Sequence, residues 1–561
     1  VVSRIAFPRT LIFVWAVMVL APHAAPADAD ADRNDPFAWL EQVNSERSME
    51  WVRAENAKTL GVLELDPRYS ALFTDALTIA EAQDRIPYPS FLAGDIYNFW
   101  QDAGHVRGIW RHSSLTDYRT PAPQWTTGLD LDALAQAEDS NWFWKGAECL
   151  RPAERLCLVS LSDGGEDAET VREFDLSAQR FVAGGFELPK SKQTSAWVDQ
   201  DQLLVARDWG PGTMTASGYP FVVKSVRRGE PLQAAQERFR GQARDVAVEV
   251  SALEDGSGSR AVLIVRAVSF FETEIYLLLA NGVEKLNLPL KSQVADLVAG
   301  RLVIKLNQDW RVDGQRLPQG ALVSVDLKGA ASDPRHLKPR VVYVPGPRES
   351  LGDVGATHSN LIVTLYRNVR GRALVYTPMP DGGWTQRVVA LPDNASIHIV
   401  ATDRDSEQAF LGVTGFLTPT SLWLMNAAGD ELTRVKQLPA KFDASTSVVE
   451  QYQAASRDGT RIPYFVVHPA TMKFDGQNPT ILNAYGGFQV SNTPTYSASI
   501  GKLWLERGGT FVLANIRGGG EFGPRWHEAG LKTHRQRIFD DFAAVAEDLI
   551  ARKITSPRRL G

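Results

Sequence analysis

The spacing of apolar residues changes three times along the chain, and each change predicts a different architecture. Residues 35 to about 80 read as helical: Ser45 to Leu60 contains no Gly or Pro, and Trp39, Leu40, Val43, Trp51 and Val52 offer apolar faces between charges. From about 81 to 445 the texture is that of β-structure. Short runs rich in β-branched residues, such as Cys157–Ser162, Leu203–Arg207, Ala261–Val268, Leu302–Leu306, Leu361–Tyr366 and Ser421–Met425, alternate with Asp-Gly, Asn-Gly and Arg-Gly turn signals. No helix is expected to interrupt this stretch. It is too long for one sandwich, and division by seven gives about 52 residues per unit, close to a four-stranded propeller blade.

From about 450 the pattern changes to strands alternating with helices. Ile462–Val467 after the turn Asp458-Gly459, then Thr480–Asn483 and Thr510–Ala514, read as strands. A closing helix follows, with Ile538, Phe539, Phe542, Val545, Ala546, Leu549 and Ile550 at helical spacing. Asp540 and Asp541 are assigned to its first turn, and Arg552 and Lys553 to its last, where they complement the helix dipole. This alternation implies a mainly parallel α/β sheet.

At 561 residues the chain is too long for a single core. The divisions predicted are a leader at 1–29, a helical segment at 30–80, a propeller at 81–445 and an α/β domain at 446–561. A net charge of −6 with no basic block argues against a nucleic-acid partner. Arg4 and Arg9, the apolar run Leu11 to Ala21 and the small residues Ala25, Ala27 and Ala29 form a secretory signal pattern. The apolar run is shorter than the roughly 20 residues needed to span a bilayer. An exported protein is expected, periplasmic or secreted, without a membrane partner after cleavage. The two cysteines, Cys149 and Cys157, either form a disulfide in an oxidising compartment or remain buried free thiols. Nine scattered histidines and two cysteines predict no metal site, and no cofactor is expected.

Several segments carry more specific information. Ser456-Arg457-Asp458-Gly459-Thr460-Arg461-Ile462-Pro463, Asn483-Ala484-Tyr485-Gly486-Gly487-Phe488, Ala514 to Gly523 (containing Arg517-Gly518-Gly519-Gly520-Glu521), Trp526-His527 and Phe539-Asp540-Asp541-Phe542 occur in that order. Asp35-Pro36-Phe37-Ala38-Trp39-Leu40-Glu41 precedes them. This ordered set closely resembles the prolyl oligopeptidase family of serine peptidases. The resemblance implies a seven-bladed β-propeller capping a discontinuous α/β-hydrolase domain against which the N-terminal segment packs. It also implies cleavage of short peptides, typically after proline, with the propeller restricting access.

Amide hydrolysis of this kind needs a nucleophile, a base, an orienting carboxylate and an oxyanion hole. The hydrolase nucleophile sits in a Gly-x-Ser-x-Gly elbow, and no glycine in the 561 residues is followed two positions later by serine. By the resemblance, the elbow follows the segment ending at Leu560-Gly561, with the acid and the histidine further on. The chain alone is therefore expected to be inactive, and its C-terminal portion marginally stable. Tyr485 matches the family tyrosine whose hydroxyl helps hold the oxyanion; otherwise it is an ordinary strand-end aromatic. His527 is assigned a structural hydrogen bond. Gly518, Gly520 and Gly523 mimic a dinucleotide fingerprint. The acidic pair Asp540-Asp541 stands on a helix, where that fingerprint requires a strand end, so nucleotide binding is not expected. Trp110, Trp125 and Trp142-Phe143-Trp144 read as propeller core packing rather than an aromatic cage. Two further readings stay open: a non-catalytic propeller that captures peptides, and a split peptidase complemented by a separate C-terminal hydrolase fragment.

Overall fold

The computed structural model describes residues 35–393 and 395–561; the leader residues lie outside this range. Among the described residues, seven antiparallel meander sheets follow one another between Ser90 and Gln437, six with four strands and one with five. Each is built from strands of one stretch of chain, the fifth with the two-stranded hairpin Trp310–Val312/Gln315–Leu317 inserted and the second with Glu187–Ser191 pairing back on Glu169–Asp175, so no strand is exchanged between the seven sheets. The first comprises Ser90–Leu92, Asp95–Trp100, Ile109–Ser113 and Thr126–Asp130; the last comprises Ser396–Thr402, Gln408–Thr414, Ser421–Asn426 and Leu432–Gln437.

Apolar clusters fill the seams between neighbouring sheets. Leu263, Ile304 and Val323 pack between the fourth and fifth sheets, and Ile362, Val375, Leu411 and Val413 between the sixth and seventh. Ile96 and Tyr118 of the first sheet region pack with Phe410, Leu422 and Leu424 of the last, which closes the ring. Trp110 and Trp144 lie tilted with centroids 5.1 Å apart within the seam between the first and second sheets, and Trp142 and Trp125 also pack on core clusters; of the aromatics assigned to core packing only Phe143 is exposed. This is the propeller expected from the turn-punctuated apolar runs.

One expectation fails here. The stretch is interrupted by short helices, among them Leu131–Glu138 and Leu327–Ser332. The side chain of Asp130 caps the first by accepting from the Ala133 N–H, and Asp326 caps the second by accepting from the Gly329 N–H. Both are shorter than the window needed to establish a helical period.

After the propeller, Ser447–Ala455, Arg461–Pro469, Thr510–Ala514 and Thr480–Asn483 form one sheet in that spatial order. The mainly parallel sheet expected from the sequence needs correcting. Thr480–Asn483 runs parallel to Thr510–Ala514 and, on its other edge, makes a parallel bridge from Thr480 to Leu560; the other two pairings are antiparallel, so the described sheet is mixed. The turn through Asp458-Gly459 is a tight hairpin, far too short for the crossover that a parallel pair requires. The closing helix, Gln536–Ala551, packs Ile538, Val545 and Leu549 against Tyr464, Val466 and Val512. It begins at Gln536, so Asp540 and Asp541 lie beyond its first turn and do not serve the dipole role assigned to them.

The N-terminal segment forms helices Glu46–Leu63 and Tyr69–Ala80. Asp75 of the second pairs with Arg507 beside the helix Ala498–Leu503, placing this segment against the α/β domain. No helix among the described residues is long and apolar enough to cross a membrane.

Candidate active-site region

The strand Thr480–Asn483 leaves the sheet into a loop that carries Tyr485, which is half exposed. The loop is folded back sharply. Gly486 has φ +65°, and Phe488 and Gln489 also lie at positive φ, at 52° and 60°. Two features hold it there. The first is a close backbone approach by the glycine-rich segment after Thr510–Ala514. A Cβ on Gly518 would stand 2.3 Å from the Gly486 carbonyl oxygen, and one on Gly520 would stand 2.2 Å from that of Gln489. These glycines are used in packing one loop on another, which accounts for the false dinucleotide pattern.

The second feature is His527. It is buried, with Nδ1 2.6 Å from the Gly518 carbonyl oxygen and 3.0 Å from the Gln489 backbone nitrogen. With its proton on Nδ1 the ring donates to the Gly518 carbonyl, and with Nδ1 bare it accepts from the Gln489 N–H; either is a structural hydrogen bond of the kind assigned to it. His527 therefore positions the loop that presents Tyr485.

The propeller meets this loop directly. Phe270 and Phe271 occupy a hairpin tip of the fourth sheet. Phe270 stands edge-on to Phe488 at 5.6 Å, and Phe271 lies 5.0 Å from the His527 ring. Polar contacts complete the seam: Lys291 Nζ lies 2.9 Å from Glu528, Ser350 Oγ donates to the Glu521 carbonyl at 2.9 Å, and Ser396 Oγ to that of Pro494 at 2.6 Å. The Phe270-Phe271 pair was not singled out from the sequence. The available signal was two large aromatics in a turn, where polar residues are usual.

Other motif segments serve a different purpose. Asp458, Arg517 and Asp541, from three separate segments, meet in one ion cluster that is buried at Arg517 and Asp541 and open to solvent at Asp458. Arg517 grips Asp541 with Nε and Nη2 at 2.9 and 2.6 Å and reaches Asp458 with Nη1. Asp541 is fully buried, and Arg517 is 4% exposed. The guanidinium holds the Asp458 carboxyl well below the usual carboxylate range. Next to it Glu521 is buried with Oε1 accepting from the Asn492 N–H at 2.9 Å, while Oε2 has no partner. Burial pushes its carboxyl up to about 7. Among the described residues no cluster of His, Cys, Asp and Glu could hold a metal ion.

The two cysteines lie opposite each other across the hairpin Trp142–Cys149/Leu156–Asp163 of the second propeller sheet, with their sulfurs bonded.

Comparison with known proteins places this architecture. The N-terminal beta-propeller domain of prolyl oligopeptidase matches residues 18–438, and the prolyl oligopeptidase family peptidase domain matches residues 494–561. An uncharacterized peptidase of Sinorhizobium fredii is 44% identical over 96% of this chain and 75% of its own length. The chain belongs to the prolyl oligopeptidase family. A solved post-proline cleaving enzyme from Rickettsia typhi is similar with a TM-score of 0.85 at 29% identity, covering 93% of this chain and 78% of that one. A prolyl endopeptidase of Elizabethkingia meningoseptica is 34% identical over 30% of this chain and 24% of its own length. The chain is thus a serine peptidase type, with a propeller and an α/β-hydrolase fold. Tyr485 falls between the two matched segments, so its placement rests on the loop geometry and its motif.

Proposed function

We propose that this chain supplies the access-limiting propeller and the oxyanion tyrosine of a peptidase that cuts short peptides after proline. The observation that carries this reading is the Tyr485 loop. A half-exposed phenol is presented just past the carboxyl end of a parallel strand, on a backbone locked by Gly486, Gly518 and His527. A donor fixed in that way stabilises developing negative charge without reorganising. Phe488, exposed beside it and walled by Phe270, offers an apolar ring surface suited to a pyrrolidine ring. The name of the Rickettsia typhi relative, a post-proline cleaving enzyme, supports the same specificity. The propeller limits entry because the seam is bridged by the polar contacts described above. We also propose export by the N-terminal leader and oxidation of Cys149 with Cys157 in that compartment.

The test is hydrolysis of a blocked glycyl-prolyl chromogenic peptide by the natural protein isolated from its own cells, with its intact mass determined in parallel. Cleavage after proline is expected, and Tyr485→Phe should lower kcat by about 10²- to 10³-fold with KM little changed. A fluorophosphonate label locates the nucleophile, on this polypeptide or on a complementing fragment. Tight binding of the peptide without turnover and without label would instead establish a peptide-capturing propeller.

A further inference from the structure

A cleft of about 360 Å³ opens where the sixth propeller sheet meets the first strand of the α/β domain, away from the Tyr485 loop in sequence and in lining. The propeller side consists of Arg367, Asn368, Arg370 and Arg372; the α/β side includes Gln451 and Gln453. No carboxylate lines it. The three arginines come from one hairpin, Leu361–Arg367 with Arg370–Pro378, in which Arg367 and Arg370 are direct cross-strand partners. Like charges directly opposite each other destabilise a sheet.

Two of these charges are compensated from outside the cleft. Arg367 pairs with Glu349, and Arg372 with Asp393 at 2.6 Å. Arg370 has no carboxylate partner among the described residues, and its buried Nε has no acceptor. The hairpin tip is also held in an uncommon conformation. Val369, a β-branched residue, sits at φ +65° and is fully buried in the core of the α/β domain with Phe465 and Leu513. Gln451 Nε2 donates to the Asn368 carbonyl at 2.8 Å. The arginines are thereby fixed relative to the glutamines of the other domain.

We propose that this cleft is an anion site spanning the domain seam, taking a compact oxyanion, either a phosphate group or a carboxylate, with Arg370 as the principal ligand. Guanidinium N–H groups in a fixed fork, joined by side-chain amides, match the geometry of such an anion. Bound there, the anion contacts both domains and stabilises their closed arrangement.

Thermal unfolding of the full chain tests this, titrated with sodium phosphate or sodium acetate while chloride keeps the ionic strength constant. A saturating rise in Tm is expected, because a ligand bound only to the folded state stabilises by mass action. Saturation by phosphate alone assigns the site to phosphate groups; saturation by acetate alone assigns it to carboxylates. Arg370→Gln should raise the half-saturating concentration at least tenfold. Gln453→Glu, on the exposed side of the cleft, should do the same and covers the case in which Arg370→Gln does not fold. A rise that never saturates reflects general salting of the protein surface. That outcome, no rise with either anion, or equal half-saturation in both variants would overturn the proposal.

Discussion

At the scale of single residues, the α/β domain depends on charges that its own sheet buries. Asp541 was assigned from the sequence to a helix dipole because acidic residues near a helix start favour that reading. Its actual partner, Arg517, lies 24 positions earlier and could not be paired with it by local spacing. The cost of removing Arg517 follows from burial: the fully buried carboxylate of Asp541 would be left without its cation, while the exposed Asp458 keeps water and Arg537. Arg517→Met should destabilise the chain by about 3–5 kcal/mol, measured by urea unfolding. A loss below 1 kcal/mol would mean that the cluster is solvated. Glu521 behaves in the opposite sense. Its carboxyl is protonated in the folded chain up to about pH 7, whereas unfolded it ionises near its ordinary value of 4.5. The folded state therefore holds the extra proton between these two values, and stability falls as pH rises through that window, levelling off above it. Glu521→Gln removes the dependence. The variant should gain on the parent by up to about 3 kcal/mol between pH 4.5 and pH 7.5, read from urea midpoints at both pH values. Parallel curves for the two proteins would contradict the assignment.

At the scale of elements, strands were legible from the sequence and their partners were not. The run Leu361–Tyr366 announces a strand, and the strand is Leu361–Arg367. The closing helix was legible too, but not its rotation. Phe539 is 58% exposed and Phe542 38%, while Asp541 is fully buried against Arg517. Apolar periodicity cannot anticipate a buried ion pair. The glycine-rich segment was misleading in isolation for a related reason: its glycines answer to a loop just over thirty residues earlier. Gly520→Ala places a methyl group against the Gln489 carbonyl oxygen and cannot be accommodated without moving the Tyr485 loop. Loss of kcat exceeding tenfold is expected for this variant in the active natural enzyme, with the propeller still folded by near-ultraviolet circular dichroism. Unchanged kcat would show that the two loops are not rigidly coupled. The hairpin carrying Cys149 and Cys157 allows a separate estimate. The chain between them is short, so Cys149→Ser/Cys157→Ser should cost only about 2.5 kcal/mol by loop entropy, judged against the parent protein under non-reducing conditions.

At the scale of the whole molecule, the propeller ring has one seam unlike the others. Successive sheets are joined by the chain itself, while the first and last meet only through side chains, since no strand from one end completes a sheet at the other. The alternation of β runs and turns predicted a ring of such units, but sequence texture carries no information on how its ends are locked. The lock is aromatic. Phe410 is fully buried, stacks 5.1 Å from Phe91 and meets Tyr118 edge-on at 5.6 Å. Truncating a buried phenylalanine costs about 3–5 kcal/mol wherever it lies, but the consequence depends on what else holds the seam. At an internal seam the connecting chain keeps the sheets adjacent, so a cavity loosens packing locally. At the closing seam packing, the Lys436 ammonium donating to the Thr120 carbonyl and the shared platform of the α/β domain keep the ends together. Phe410→Ala should therefore raise amide hydrogen exchange on both sides of the closure, in Asp95–Trp100 and in Gln408–Thr414. Leu204→Ala, within the seam between the third and fourth sheets, should raise exchange only around its own cluster. Exchange confined to the seventh sheet in the Phe410 variant would mean that the α/β domain, rather than the aromatic lock, holds the ring shut.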